Sequence, residues 1–298
     1  MKDEDEVPAA FEAIRGRLMG VAYALLGSVD EAEDVVQEAW LRLCSTDPDR
    51  IEDPTGWLIV TVSRIARDVL KSARYRREEY VGPWLPEPVV AAAGPSRPDA
   101  AADPADRVTF DETLSMAMLV VLESLTPAER TAFVLHDVFG LPFDEVGRVV
   151  GRSAPACRQL AARARRYAAA RAPRFEASLA EQEQVVSAFA TACATGDLAS
   201  LLTLLDSDVV LRSDGGGVVS AARRPLHGAE RVARYLAGIA RRQPDSALRP
   251  VTVNGRAGLL RTHRSAVTGV MAVAVADGRV TCVDFVRNPD KLLHVRAF

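Results

Sequence analysis

The sequence predicts a multidomain chain: two all-α helical blocks, then an α+β domain in which helices cover a curved sheet to form a cone. Three observations carry this expectation. Residues 8–78 and 107–172 place apolar residues at three- and four-residue steps, the period of a helix with one buried face. Residues 79–106 hold six prolines and little apolar periodicity, so they read as a linker between the blocks. From residue 178 the pattern starts helical and then alternates, with the hairpin dipeptides Asn254-Gly255 and Asp277-Gly278 between alternating runs.

A chain of 298 residues fits two or three domains. Its 48% hydrophobic and 26% charged residues suit a soluble protein. The longest apolar runs, such as Val267 to Ala276, are too short to span a bilayer. The acidic start "MKDEDEVP" lacks the basic-then-apolar order of a signal peptide, so the expectation is a cytoplasmic protein with no membrane partner. The four cysteines, Cys44, Cys157, Cys193 and Cys282, form no C-x-x-C pair, which argues against a zinc site or a disulfide framework. No metal or cofactor is expected.

The net charge of −3 does not suggest nucleic acid, but its distribution does. Between Leu18 and Leu41 there are five acids and no base. From Arg64 to Arg77 there are six basic residues against one acid, Asp68. From Val146 to Phe175 there are eight arginines and no acid. One acidic and two basic patches imply at least two kinds of partner.

In the first block, "SVDEAEDVVQEAWLRLC" turns Val35, Val36, Ala39, Trp40 and Leu43 inward and Asp34, Gln37, Glu38 and Leu41 outward. DNA would repel that acidic, partly apolar face, and a protein partner suits it better. A solvated face is the plainer alternative for this helix taken alone. Next, Trp57 precedes a helix whose Arg64, Arg67, Lys71 and Arg74 recur at three- and four-residue steps. An aromatic ahead of a basic helix is placed to stack on an unpaired base while the helix holds phosphate. Core packing of Trp57 is the equal alternative.

In the second block, "TPAE" from Thr126 is a capping box with proline at the first helical position. The helix it starts ends near Phe139-Gly140. "FDEVGRVVG" is a short helix closed by Gly151, and Ser153 is placed to cap a third helix with Pro155 in its first turn. That is helix-turn-helix spacing. The third helix turns Ala156, Cys157, Leu160, Ala164 and Tyr167 inward, and Arg158, Gln159, Ala162, Arg165 and Arg166 outward. Its small inner side lets it pack closely, and its basic side suits a major groove. A solvated surface helix normally mixes charge signs, and this one does not.

In the last third, "FATACATGDLASLLTLLDSDVVLRSD" reads as helix, Gly196, helix, strand. Helices on a curved antiparallel sheet enclose an apolar interior that suits a pocket, so a small-molecule ligand in the cone is a further expected partner. Asp208, Asp214, His227 and His263 are the residues an enzyme would use there. Turn and loop positions explain them more simply, and no Ser-His-Asp set, phosphate-binding glycine loop or metal cluster is present. An enzyme on a small hydrophobic substrate, fused to a DNA-binding regulator, is the competing class.

"LLGSVDEAEDVVQEAWLRL", "GWLIVTVSRIARDVLKSARYRR" and "LTPAERTAFVLHDVFGLPFDEVGRVVGRSAPACRQLAARARR" resemble regions 2 and 4 of a bacterial extracytoplasmic-function (ECF) sigma factor. "WLPEP" (Trp84, Leu85, Pro86 onward), "DGGG" (Asp214, Gly215, Gly216, Gly217) and "NPDKL" (Asn288, Pro289, Asp290, Lys291, Leu292) resemble signatures of the ECF41, or SigJ-like, subgroup. That subgroup carries a C-terminal domain similar to the SnoaL, or NTF2-like, fold.

The resemblance implies region 2 at 8–78, a linker at 79–106, region 4 at 107–172 and the SnoaL-like domain at 178–298. It implies core RNA polymerase as partner, through the β′ clamp helices and the β flap, together with promoter DNA. Asp34, Gln37, Glu38 and Leu41 would bind the clamp helices. Trp57, Arg64, Arg67, Lys71 and Arg74 would recognise and melt the −10 element. Arg152, Ser153, Arg158, Gln159, Arg163, Arg165 and Arg166 would read the −35 element. The residues of the three short motifs would form a regulatory contact between cone and linker. The glycine motif usually ends in lysine, and here Val218 stands there.

Overall fold

The computed structural model describes residues 6–47, 51–92, 114–171 and 177–297, with backbone alone for 6–10 and 73–78. The domain boundaries expected at 107 and 172, and the linker beyond Ala92, lie outside the described residues. The chain divides into two compact units. The first holds residues up to 78 and 118–171; the second holds the segment from Glu79, residues 115–117 and everything from Ala172.

In the first unit, α1 (Glu6–Leu26) ends at Gly27, which takes φ +70°. The α2 helix (Val29–Cys44) starts where Ser28 Oγ accepts the Glu31 N–H at 3.2 Å. The long α3 spans Pro54–Glu78. These three pack through buried apolar side chains that include Leu18, Leu25, Val35, Ala39, Leu58 and Val62.

The second helical block begins with α4 (Met116–Leu122) and α5 (Pro127–Phe133). The capping box forms: Glu129 N–H donates to Thr126 Oγ1 at 3.3 Å, and Thr126 N–H donates to Glu129 Oε2 at 3.2 Å. The helix runs on through one π turn (Val134–Val138). Then α6 (Phe143–Val150) stops at Gly151 with φ +73°, and α7 (Ala154–Ala169) follows. A side chain at Gly147 would sit 2.7 Å from the Arg152 carbonyl, so the tight turn between α6 and α7 requires glycine there.

The two helical blocks join within this unit through a buried arginine. Arg130 is 1% exposed. Its Nε and Nη2 both donate to the Ala24 carbonyl at 3.2 Å, and its Nη1 pairs with Glu123. Ala24 lies in the last turn of α1, where carbonyls lack helical partners. Arg130 therefore satisfies an orphan acceptor of the first block from the second.

In the second unit, α8 (Leu179–Thr195), α9 (Leu198–Leu204) and α10 (Ala229–Arg242) lie on a seven-stranded sheet. Its strands are β1 (Val90–Ala92), β2 (Leu205–Asp214), β3 (Leu226–His227), β4 (Ser246–Val253), β5 (Arg256–His263), β6 (Ala266–Ala276) and β7 (Arg279–Val286). Their order is β1-β4-β5-β6-β7-β2-β3. Asn254-Gly255 and Asp277-Gly278 make the two hairpin turns, with positive φ at both residues of each.

Two features differ from the sequence expectation. The sheet is mixed, because β2 runs parallel to β7. Joining them takes a crossover, which α10 and the β4–β6 meander supply. The linker also contributes a strand: β1 pairs antiparallel with β4, Val90 opposite Val253. The cone interior is packed with side chains that include Phe189, Leu205, Leu211, Leu259, Met271 and Phe285.

Candidate nucleic-acid interface

The acidic helix presents the expected face. Val35, Val36, Ala39 and Leu43 of α2 are buried, while Asp34 and Gln37 are exposed. Leu41 is 56% exposed, unusual for a large apolar side chain. Glu38 is half-exposed and pairs with Arg42 at 2.8 Å. Trp40 is only half-buried and packs on Phe11 with ring centroids 4.7 Å apart.

The basic helix α3 is less free than its sequence suggests. Trp57 is half-buried. Arg64 donates to the Arg148 carbonyl at 3.1 Å, and Arg67 donates to the Val149 carbonyl. Both carbonyls lie at the C-terminal end of α6, where the helix dipole favours a cation. Lys71 is exposed and pairs with Asp68 at 3.0 Å; the Asp68 carboxyl is held below its usual range by bonds from Lys71 and Arg67. Arg74 lies in α3, but its side chain is outside the described residues.

The third helix, α7, buries Cys157, Leu160, Ala161, Ala164 and Ala168 and exposes Arg158, Gln159, Arg163, Arg165 and Arg166. Arg152 and Ser153 are exposed just ahead of it. Ser153 occupies the N-cap position, but its side chain makes no capping bond, so the expected cap is absent. Arg165 pairs with Asp137 at 2.7 Å and Arg163 with Glu129 at 3.2 Å, while each side chain stays 55% exposed. These acids belong to α5 and the π turn that continues it, and they orient the two guanidinium groups without covering them. Arg158 lies over the Phe143 ring at 5.5 Å.

The second unit holds a buried polar cluster around Asp214, which is 0% exposed at the end of β2. Its Oδ1 accepts from the Tyr80 hydroxyl at 2.6 Å and the Gly216 N–H at 3.1 Å. Its Oδ2 accepts from the Leu85 N–H at 2.8 Å and Lys291 Nζ at 2.8 Å. Lys291 also donates to the Leu85 carbonyl and lies 4.0 Å from the Trp84 ring centroid. Asn288 Nδ2 donates to the Tyr80 oxygen at 2.9 Å. A side chain at Gly216 would come within 2.5 Å of Asn288.

Leu85, Pro86, Lys291 and Leu292 are buried, while Pro289 and Asp290 cover the turn from outside. Gly215 is buried, and Gly217 lies against Val81. The three short motifs thus meet at one carboxylate. Tyr80, which sequence reading missed, belongs to the same cluster; burial and its bond to Asp214 raise its phenol pKa above the usual value.

The four residues considered for an enzyme do not converge. Asp208 N–H is held by Asp206, Asp214 is consumed by the cluster above, His227 is exposed on a two-residue strand, and His263 lies 3.5 Å from Ser246 Oγ. Among the described residues no hydrogen bond joins any two of them. None of the four lines the cavity of about 20 Å³ bounded by Cys193, Leu236, Met271 and Arg261.

An acidic helix, a basic helix and a helix-turn-helix in one unit define a promoter-recognition protein with a fused α+β domain. The comparisons agree. Residues 10–76 match the Sigma-70 region 2 family and residues 115–167 the Sigma-70 region 4 family. The chain is 41% identical over 292 residues to the ECF RNA polymerase sigma factor SigJ of Mycobacterium tuberculosis, covering 94% of this chain and 91% of that one. It is 38% identical to a protein of the same organism described as "Probable ECF RNA polymerase sigma factor SigI", over 100% of this chain and 98% of the relative. The crystal structure of SigJ superposes with a TM-score of 0.73 at 37% identity, covering 95% of this chain and 97% of SigJ. The chain belongs to the ECF RNA polymerase sigma factors, in the SigJ-like group that carries a C-terminal domain. Its function is to bind core RNA polymerase and direct promoter-specific initiation.

Proposed function

We propose that the exposed face of α2, with Asp34, Gln37, Glu38 and Leu41, docks on the β′ clamp helices, while region 4 engages the β flap. Leu41 supplies the apolar contact, and the acids supply steering toward a basic partner. Trp57, Arg64, Arg67, Lys71 and Arg74 engage the −10 element. Arg64 and Arg67 reach it only after leaving the α6 carbonyls. Arg158 and Gln159, early in α7, read −35 base edges; Arg152, Ser153, Arg163, Arg165 and Arg166 hold phosphate. The protein works in the cytoplasm, where its polymerase is.

The cone regulates through the Asp214 cluster. Tyr80 follows the end of α3 by two residues, so a cone that grips Tyr80, Trp84 and Leu85 constrains how far the chain beyond region 2 travels. A free proline-rich linker would impose no such limit. The observation that carries the reading is the pairing of an exposed acidic-apolar α2 face with an exposed, all-basic α7 face.

The test is a pull-down of purified core polymerase. Asp34→Lys with Glu38→Lys reverses the α2 face at exposed or half-exposed positions and should abolish core binding with an unchanged helical CD spectrum. Full retention of binding would rule out this face.

A further inference from the structure

Arg261 is 2% exposed, yet all of its partners are neutral. Its Nη1 donates to Thr268 Oγ1 at 3.0 Å, and its Nη2 donates to Gln243 Oε1 at 2.7 Å and to Ser246 Oγ at 2.6 Å. A second arginine, Arg287, lies near it over the Phe285 ring at 5.4 Å. Arg287 donates to the Ser220 carbonyl, and its Nε is buried with no partner. Among the described residues no carboxylate pairs with either guanidinium.

A buried cation is costly unless it is paired. Burial first, and Arg287 second, push the Arg261 pKa down to about 10, so it still carries its charge at neutral pH. The C-terminus of α10 offers a partial negative charge beside Gln243, but its last turn already holds Arg241 and Arg242. Among the described residues the other buried cations have charged partners: Arg130 has Glu123, and Lys291 has Asp214. Arg261 is the exception, and it lines the small cavity between α8, α10 and the sheet. That cavity, about 20 Å³, holds one water-sized group.

We propose that Arg261, with Gln243 and Ser246, forms a binding site in the cone for a single small anionic group, and that Arg287, outside the cavity lining, adds only the field of its charge. The group is a free ion of halide or formate size, because Leu236, Leu248 and Met271 close the cavity to a longer chain. The donors are preorganised: Gln243 and Ser246 hold the guanidinium, and Gln243 itself closes α10. The site is independent of the polymerase and promoter contacts.

The experiment follows the thermal unfolding of the full chain in a gluconate background at constant ionic strength. Chloride, formate and hexanoate replace gluconate in separate titrations. The wild type should gain a saturable rise in midpoint with the bound anion, as a ligand specific for the native state gives. Arg261→Gln should show no rise, and Arg287→Gln should need several-fold more anion. Gains from chloride and formate with none from hexanoate match a cavity of this size; a gain from hexanoate as large as theirs would place the binding elsewhere and overturn the proposal. Because Arg261→Gln removes structural bonds as well, ³⁵Cl line broadening on the wild type alone provides a second reading, with displacement by formate. Identical anion dependence of wild type and Arg261→Gln, or no broadening and no rise, would overturn the proposal.

Discussion

Asp214 has every acceptor direction in use: two donors on each oxygen, three of them from the linker and the NPDKL turn. Among the described residues Lys291 is its one charged partner, and it is itself buried. Removing one member of such a pair strands the other charge, so Lys291→Met should destabilise the second unit by about 3–5 kcal/mol in urea unfolding followed by CD. An unchanged urea midpoint would show that the pair is not structural. On α7, Arg158 and Arg166 are both exposed but sit at different depths along the helix. Arg158→Ala should relax discrimination at one −35 base pair by about 1–3 kcal/mol. Arg166→Ala should weaken all sequences alike and lower the salt dependence of binding. A uniform loss for Arg158→Ala, measured by DNA-binding titration across promoter variants, would remove its base-reading role.

Elements whose signals are local were legible in the sequence. The Thr126 capping box, Gly151 after α6 and the two hairpin dipeptides each act over four residues or fewer, and each formed as read. The buried side of α7 was legible because Cys157, Leu160 and Ala164 follow helical period. What was not legible depends on partners far along the chain. Tyr80 meets Asn288 across 208 positions, Arg130 meets Ala24 across 106, and β2 finds β7 in parallel. No local pattern marks such pairs. Arg64 and Arg67 looked wholly available for DNA because the α6 carbonyls that hold them lie more than 80 positions away. The glycine turn between Asp214 and Val218 lies between the two cases. Its glycines signalled a tight turn, but only the structure shows that Gly216, at φ +63°, has Asn288 against it. Gly216→Ala combines backbone strain with that clash and should lower the urea midpoint of the second unit, while an alanine tolerated without loss would mean that the turn readily shifts.

At the scale of the whole molecule, one chain combines promoter recognition with a domain that grips its own linker. The linker is not a spacer over Tyr80 to Ala92: it donates to Asp214, covers Lys291 and adds a strand to the sheet. Trp84→Ala leaves every hydrogen bond of Asp214 in place but removes the ring over Lys291, so it should alter transcription while leaving core binding intact. We propose that this chain directs initiation through the α2 face. The most direct measurement is run-off transcription on fragmented genomic DNA with purified core polymerase, reading the 5′ ends of the products. The full chain should give discrete start sites sharing −10 and −35 sequences, and the Asp34→Lys, Glu38→Lys variant should give none. Start sites that are absent with the full chain, or equally abundant with the variant, would contradict it.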